Sequence, residues 1–289
     1  MIMSGGDKME NNPNLILHIQ STYNQLTKTE KKVATYVLEN TEQVLYMSIT
    51  DLADACGVGD TSVYRFCRTM GLQGYQEFKV QLSLCHAGFD SAIHVGSKAG
   101  IEDLADCVMK VNMKAIQDTY MLLDRVTIDK VVTMMDEARR VYFFGIGDSL
   151  LIAKIAYNRF LRITGKVFCI DDPHVQSMAV SIANEEDLII LISYSGATKD
   201  NIHVAKEAKK VGAKIACITH YKKSLLTSYS DAILLCGAKE SPLDGGSMAG
   251  KMALLFIIDM LYQEFYKRNS EEAKINREKT AKSVIEKSY

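Results

Sequence analysis

The sequence lacks an apolar run of the roughly eighteen residues that a transmembrane helix needs. Its first residues carry Asp7 and Glu10 and no apolar core, which does not fit a secretory signal peptide. The 7 cysteines include no C-x-x-C pair and no spacing that is typical of metal ligands. These absences predict a cytoplasmic protein with no membrane partner, no metal site and no cofactor.

The chain also lacks a net charge that would attract nucleic acid. Its 34 Lys and Arg residues and 35 Asp and Glu residues leave a formal charge of −1. The first ninety residues are slightly acidic, with seven basic side chains against ten acidic ones. Any DNA binding must therefore depend on where the cations lie and not on their number.

A change of pattern along the 289 residues predicts two domains. Residues 14–84 have mainly helical apolar periodicity, whereas the second half alternates short apolar runs with helical segments. Residues 86–100 are small and punctuated by glycine, as linkers are. We predict an all-helical domain in residues 1–85, a linker in residues 86–105 and a ligand-binding domain in residues 106–289.

Five short apolar runs in the second half have the composition of strands that are buried on both faces. Their alternation with helices predicts an α/β domain with a doubly wound, five-stranded parallel sheet of the flavodoxin-like kind. The runs are Val141–Phe144, Val167–Ile170, Leu188–Ile192, Lys214–Thr219 and Ala232–Leu235.

Two short helices that meet at a glycine are predicted within the first domain. Ser48 caps the first helix, and Gly57 supplies the left-handed turn that ends it. The second helix, roughly Thr61–Met70, should bury Val63 and present an exposed face to a DNA major groove. The side chains expected on that face are Thr61, Ser62, Tyr64, Arg65 and Arg68. The lysines expected to neutralise flanking phosphates are Lys28, Lys31, Lys32 and Lys79.

Spacing alone leaves open an ordinary helical hairpin with a solvated face. Two stretches of the sequence read LTKTEKKVATYVLEN and, further along, SITDLADACGVGDTSVYRFCRTMGLQGYQEFK. Over about sixty residues they resemble the N-terminal domain of RpiR-type regulators. The shared pattern is S-I-x-x-L-A, then G-V-S, T-V-x-R-F-x-R and G-(hydrophobic)-x-x-F-K. Gly59 stands where that pattern has Ser, and Ser62 where it has Thr. The resemblance implies that this domain binds a double-stranded DNA operator.

Hydroxyl-bearing loops follow the first and third predicted strands. The first loop contains Gly147 and Ser149, and the second reads SYSGAT from Ser193 to Thr198. Glycines and helix N-terminal amides at the carboxyl ends of parallel strands are suited to hold an anion. The residues expected to bind a phosphate group are Gly147, Ser149, Ser193, Ser195, Gly196 and Thr198.

Other interpretations of these loops are a tight turn at Gly145-x-Gly147 and simple helix capping. A dinucleotide site is disfavoured because Leu150 stands where the third glycine of that motif would fall. The two loops contain the motifs G-x-G-x-S and S-x-S-G-x-T, and the second motif begins at the end of the stretch DDPHVQSMAVSIANEEDLIILISYSG. With these features, about Val141–Tyr262 resembles a sugar isomerase (SIS) domain. The resemblance implies that the serines and the threonine hold the phosphate, and that the chain forms a homodimer or homotetramer. Asp200 stands where many SIS domains have Glu, which leaves its role open.

Because SIS domains also occur in isomerases, an aldose–ketose isomerase is the alternative function. That reaction needs a base at the sugar and usually a second group for ring opening. The candidates are His174, Asp200, His203 and Glu207, and none of them forms a recognisable acid–base pair by spacing. A helix-turn-helix beside a sugar-phosphate domain instead predicts a non-enzymatic regulator of sugar or amino-sugar metabolism. The sequence leaves open the sugar, the operator and whether the effect is activation or repression.

Overall fold

A computed structural model describes residues 15–85, 100–238, 240 and 245–285. The chain divides into two units, Met1–Ser91 with Ser241–Gly245, and Ala92–Glu240 with Gly246–Tyr289. Residues 86–99 of the predicted linker lie outside the described residues. Residues 101–105 of that predicted linker form the first turn of a long helix that begins at Ile101.

The N-terminal unit is helical, and side-chain caps account for where two of its helices begin. Thr27 and Glu30 form a capping box at one helix, and Ser48 and Asp51 form another. Gly57 ends the second of these helices with φ at 61°. The helices are α1 Leu15–Thr22, α2 Lys28–Glu39, α3 Thr41–Leu45, α4 Ile49–Cys56, α5 Asp60–Thr69 and α6 Tyr75–Cys85, with a 3-10 turn at Tyr23–Gln25.

One apolar core holds this unit together. Val33 of α2, Leu52 of α4 and Phe66 of α5 are fully buried, and the Phe66 ring meets that of Phe78 on α6 edge-on, with 5.8 Å between centroids. Burying side chains of this size contributes about 1.5–3 kcal/mol each. The core therefore fixes α4 and α5, the predicted helix-turn-helix pair, against α2 and α6.

The C-terminal unit is a parallel sheet with helices on both faces. The strands run in the order β2-β1-β3-β4-β5, and every neighbouring pair is parallel. The predicted doubly wound, five-stranded sheet is therefore confirmed. Its helices are α7 Ile101–Leu122, α8 Arg125–Glu137, α9 Asp148–Phe160, α10 Pro173–Ser181, α11 Lys199–Lys210, α12 Met248–Arg268 and α13 Ser270–Ile285, with a 3-10 turn at Thr227–Tyr229. Its strands are β1 Arg140–Phe144, β2 Val167–Cys169, β3 Asp187–Ile192, β4 Lys214–Thr219 and β5 Ala232–Leu235.

The strand periodicity of two divides the core of this unit into two layers. Val141 and Phe143 of β1 pack with residues of α8, α9 and α12, whereas Tyr142 and Phe144 pack with residues of α10 and α11. All of β3 is buried. Because β1 and β3 pair from Arg140↔Asp187 to Phe144↔Leu191, the loops that follow them emerge side by side.

Candidate functional site

Helix α5 carries the predicted DNA-contacting side chains. Thr61, Tyr64, Arg65 and Arg68 are exposed, and their spacing places them on one face of the helix. Ser62 is half-buried at the edge of that face. The opposite face, with Val63, Phe66 and Cys67, is buried in the core. The helix therefore presents hydroxyl, phenol and guanidinium groups along one stripe.

The start of α5 is held by a neighbouring helix and not by a cap. Gly59 is the N-cap and offers no side-chain acceptor, and Asp60 does not cap the helix either. Instead the Thr50 hydroxyl of α4 donates a 2.9 Å hydrogen bond to Asp60 Oδ2. This bond ties the first helix of the pair to the first residue of the second.

The predicted flanking lysines differ in exposure. Lys28 and Lys32 are exposed and Lys31 is half-buried, so these three remain candidates for phosphate contact. Lys79 does not fit that role, because it is only 6% exposed and its Nζ donates a 3.2 Å hydrogen bond to the Met47 carbonyl. Burial lowers the pKa of Lys79 to about 8. The prediction treated a core position of α6 as a surface position.

The predicted phosphate residues lie at two neighbouring strand ends. Ser149 is in the first turn of α9, Ser193 directly follows β3, and Thr198 is the N-cap of α11 without a side-chain cap bond. The Ser195 hydroxyl accepts a 3.3 Å hydrogen bond from the Ala197 amide. Ser193 is 2% exposed, and its Oγ has no hydrogen-bond partner. This unpartnered hydroxyl is unusual, since buried polar groups are nearly always satisfied.

Glycine is required at two points of these loops. Gly147 has φ at 57°, and Gly196 has φ at 60°, a region that disfavours residues with a Cβ. A Cβ on Gly196 would also lie 2.2 Å from Ser224 Oγ. The backbone of the second loop is therefore packed closely against the segment that follows β4.

A small cavity of about 120 Å³ opens beside the first loop. Of the predicted phosphate residues only Ser149 lines it, together with charged residues that the sequence analysis missed. Asp148 and Lys251 form a 2.9 Å ion pair there. Asp148 lies inside the G-x-G-x-S motif and was identifiable from it, whereas no sequence signal marked Lys251, in the first turn of α12.

Glu240 is the second acidic residue of this cavity that sequence reasoning missed. Burial raises the pKa of its carboxyl group, and its Oε1 accepts a 2.6 Å hydrogen bond from the Ser247 hydroxyl. The Glu240 amide donates to the hydroxyl of Tyr194 over 2.9 Å. Tyr194 in turn stacks on His220 with 5.0 Å between ring centroids. The cavity wall is thereby joined to the loop that carries Ser193 and Ser195.

The four acid–base candidates named from the sequence do not line this cavity. His174 and His203 are exposed on α10 and α11, as is Asp200. Glu207 accepts a hydrogen bond from Lys210 over 2.7 Å, which lowers the pKa of its carboxyl group.

Within residues 15–85, 100–238, 240 and 245–285, no group of three or more His, Cys, Asp or Glu side chains could hold a metal ion. Nor do the helices of these segments include one long and apolar enough to cross a membrane.

The fold and these two sets of residues define a class of protein: a transcription regulator that carries a helix-turn-helix and a doubly wound ligand domain. Two family models match the chain, the helix-turn-helix domain of the rpiR family over residues 13–87 and the SIS domain over residues 134–263. The chain belongs to the rpiR family of helix-turn-helix regulators with a SIS domain.

Relatives and solved structures agree with this assignment. An uncharacterised HTH-type transcriptional regulator of Haemophilus influenzae is 31% identical over 96% of this chain and 99% of its own length. The regulator HexR of Pseudomonas aeruginosa is 35% identical over 71% of this chain and 73% of its own. The NanR protein of Vibrio vulnificus, solved in complex with ManNAc-6P, is similar with a TM-score of 0.86 and 29% identity, over 96% of this chain and all of that one.

Proposed function

We propose that this regulator binds a double-stranded DNA operator through α5 and binds a phosphorylated sugar at the strand ends of its SIS domain. The observation that carries the second part is the buried hydroxyl of Ser193, which has no hydrogen-bond partner. Leaving such a group unsatisfied destabilises a protein by about 1–3 kcal/mol. A phosphate oxygen at the strand end supplies the missing partner.

The neighbouring groups support an anion at this position. Ser149, Ser195 and Thr198 lie at two adjacent loops, and the amides at the N-termini of α9 and α11 face the same edge of the sheet. Helix N-termini favour negative charge because of their free amides and the helix dipole. Neutral donors of this kind hold a phosphate monoester without a lysine in the loop.

The cavity residues support a sugar beyond the phosphate. Asp148 and Glu240 offer carboxylate oxygens that accept hydrogen bonds from sugar hydroxyls or an amide, and Lys251 offers a donor. The Vibrio vulnificus relative is complexed with an N-acetylated amino sugar phosphate. We therefore place phosphorylated hexoses and amino sugars first among the effectors of this chain.

The DNA-binding part depends on the stripe of α5. Arg65 and Arg68 suit bidentate contacts to guanine or to phosphate, and Thr61 and Tyr64 suit either kind of contact. Lys28 and Lys32 lie exposed on α2 as further phosphate contacts. In the cytoplasm a dimer would present two such helices and a tetramer four, and the sugar phosphate would favour one arrangement of them over another.

We further propose that the SIS domain binds its sugar without converting it. Glu240 has the raised pKa that a general base needs, but isomerisation also requires a group that opens the sugar ring. Neither His174 nor His203 lines the cavity. Incubation of the protein with each sugar phosphate, followed by NMR, should show no conversion of aldose to ketose. A new ketose signal that the Glu240→Gln variant abolishes would establish the isomerase instead.

A thermal-shift screen of hexose 6-phosphates and N-acetylhexosamine 6-phosphates tests effector binding. A ligand present at one hundred times its Kd stabilises the folded state by about 2.7 kcal/mol, so the Tm should rise by several degrees. Ser193→Ala should remove the rise. Ser181→Ala is the matched control, because that hydroxyl is exposed on α10 and, among the described residues, bonds only the Met178 carbonyl. No shift with any compound, or an equal loss in both variants, would contradict the proposal.

A further inference from the structure

A second cavity of the C-terminal unit is lined by three arginines and no acidic residue. It has a volume of about 250 Å³. The lining residues are Arg159, Arg162, Arg277, Tyr262, Gln263 and Tyr266. We propose that this cavity binds a small anion with two or more phosphate or carboxylate groups, at a place distinct from the sugar-phosphate cleft.

The two sites lie at opposite ends of one helix. Ser149, in the first turn of α9, lines the cleft, whereas Arg159, in its last turn, lines the arginine cavity. Ten residues of α-helix separate them, which corresponds to about 15 Å along the helix axis. A ligand in one cavity therefore does not fill the other.

Separate segments of the chain bring the arginines together. Arg159 belongs to α9, Arg162 to the turn that follows it, and Arg277 to α13. Helix α13 is held against that turn by two side-chain bonds. Asn276 donates to the Ile163 carbonyl over 3.1 Å, and Thr280 donates to the Arg162 carbonyl over 3.2 Å. These bonds hold α13 where Arg277 lines the same cavity as Arg162.

The positive charge of the cavity is only partly balanced by the protein. Arg159 is paired with Asp259 and lies 4.4 Å over the Tyr262 ring, but its buried Nε has no hydrogen-bond partner. The side chains of Arg162 and Arg277 make no hydrogen bond or ion pair with the part of the chain that the structure describes. Like charges held together repel each other, so a bound anion lowers the energy of this arrangement.

The chemistry of the lining selects oxyanions. Guanidinium groups present planar pairs of N–H donors that match the oxygens of phosphate and carboxylate. Tyr262 and Tyr266 also line the cavity and carry hydroxyl donors, and the Gln263 amide, which donates to Asp259 over 3.2 Å, has a second N–H. Three guanidinium groups at one cavity fit an anion with several charged groups better than a single monoanion.

Calorimetric titration of the full chain with inorganic pyrophosphate and, separately, with citrate tests the proposal. We expect saturable binding of at least one probe, weakened about tenfold or more by Arg162→Gln and by Arg277→Gln. Binding of pyrophosphate alone would identify a phosphate ligand, and binding of citrate alone a carboxylate ligand. Both outcomes support the site. Since neither guanidinium group bonds described residues, both variants should keep the Tm of the wild type.

Lys274→Gln is the matched control, because it removes one exposed positive charge from the same helix without altering the cavity lining. It should bind the probe as the wild type does. Equal weakening by Lys274→Gln and Arg277→Gln would show diffuse attraction to a basic surface and overturn the proposal. The absence of saturable heat with both probes would overturn it as well.

Discussion

The Thr69 hydroxyl at the end of α5 donates a 2.6 Å hydrogen bond to Glu30 Oε1 on α2, although the two residues are 39 positions apart. The other carboxylate oxygen of Glu30 accepts from the Thr27 amide at 3.0 Å and from the Thr27 hydroxyl at 2.7 Å. Glu30 is 8% exposed. One carboxylate therefore fixes both the start of α2 and the end of the helix that carries the proposed DNA contacts.

Replacing Glu30 should destabilise the N-terminal unit in a pH-dependent way. The hydrogen bond from Thr69 has the largest effect on the pKa of Glu30. Together with the bonds from Thr27, it holds that pKa below its ordinary value. A carboxylate with a depressed pKa stabilises the fold at pH values above its unfolded pKa, which is near 4.5. This stabilisation is lost as the pH falls below that value. In urea unfolding at pH 7, Glu30→Gln should lower the free energy of unfolding by about 1–2 kcal/mol.

The same comparison at pH 4 should give a smaller difference, because pH 4 lies below the unfolded pKa near 4.5 and the unfolded wild-type chain then binds more protons at this group than the folded one. Glu39→Gln is the control, since that side chain is exposed at the end of the same helix. A loss that stays constant between pH 7 and pH 4 would show that the charge of Glu30 is not what holds the two helices.

Lys79 should make the stability rise with pH as Glu30 does, but in the alkaline range. Burial lowers its pKa to about 8 from an ordinary value of 10.5, so between these values the unfolded chain binds more protons than the folded one. Wild-type stability should therefore gain on the order of 2 kcal/mol from this group as the pH rises from 8 towards 10. Lys79→Met should lack that gain, whereas Lys32→Met, at an exposed position, should keep it.

The two proposed sites should be separable by mutation. In a fluorescence titration of DNA from the region upstream of its own gene, at fixed salt, Arg65→Ala should weaken binding by about 1–3 kcal/mol. The variant should keep the thermal shift with a sugar phosphate, and Ser195→Ala should do the reverse. Arg125→Ala removes an exposed charge from the C-terminal unit and controls for net charge. Unchanged operator affinity in Arg65→Ala would remove α5 from the proposed interface.

The sequence was sufficient to predict the structure wherever a local pattern of residues determines the local backbone. All five strands were predicted to within about two residues, because buried parallel strands are continuous apolar runs. Ser48 marked the start of α4 through its own hydrogen bond, and Gly57 marked its end through its backbone angle. Helix α3 was missed because its five residues, TEQVL, are too few to show a period.

Features that depend on contacts distant in sequence were not predictable. Lys79 follows Phe78 in a helix that buries both, and nothing local shows that its amine meets the Met47 carbonyl. Glu240 and Lys251 reach the cavity from a loop and a helix about a hundred residues after Ser149 in the chain, so no motif spacing connects them. The arginine cavity was not predicted for the same reason, since its residues come from three helices and a turn.

Gly196→Ala tests whether the backbone of the second loop is needed in its observed form. The added Cβ would lie 2.2 Å from Ser224 Oγ, and the alanine would have to adopt φ near 60°. Left-handed backbone alone disfavours alanine by about 1–2 kcal/mol, and the contact with Ser224 adds to that penalty. The Tm should fall, and the thermal shift with a sugar phosphate should be lost, because the displaced loop carries Ser195 and Thr198.

Two further glycines distinguish the effect of backbone strain from the effect of a steric clash. Gly147 has φ at 57°, but no atom lies within 4 Å of the position that a Cβ would take, so Gly147→Ala should suffer from backbone strain alone and lower the Tm less. Gly165 has neither a positive φ nor a close neighbour, and Gly165→Ala should leave the Tm and ligand response unchanged. If Gly196→Ala lowered the Tm no more than Gly165→Ala, the loop could not be held against Ser224. The strand-end hydroxyls would then lack the fixed backbone on which a phosphate site depends.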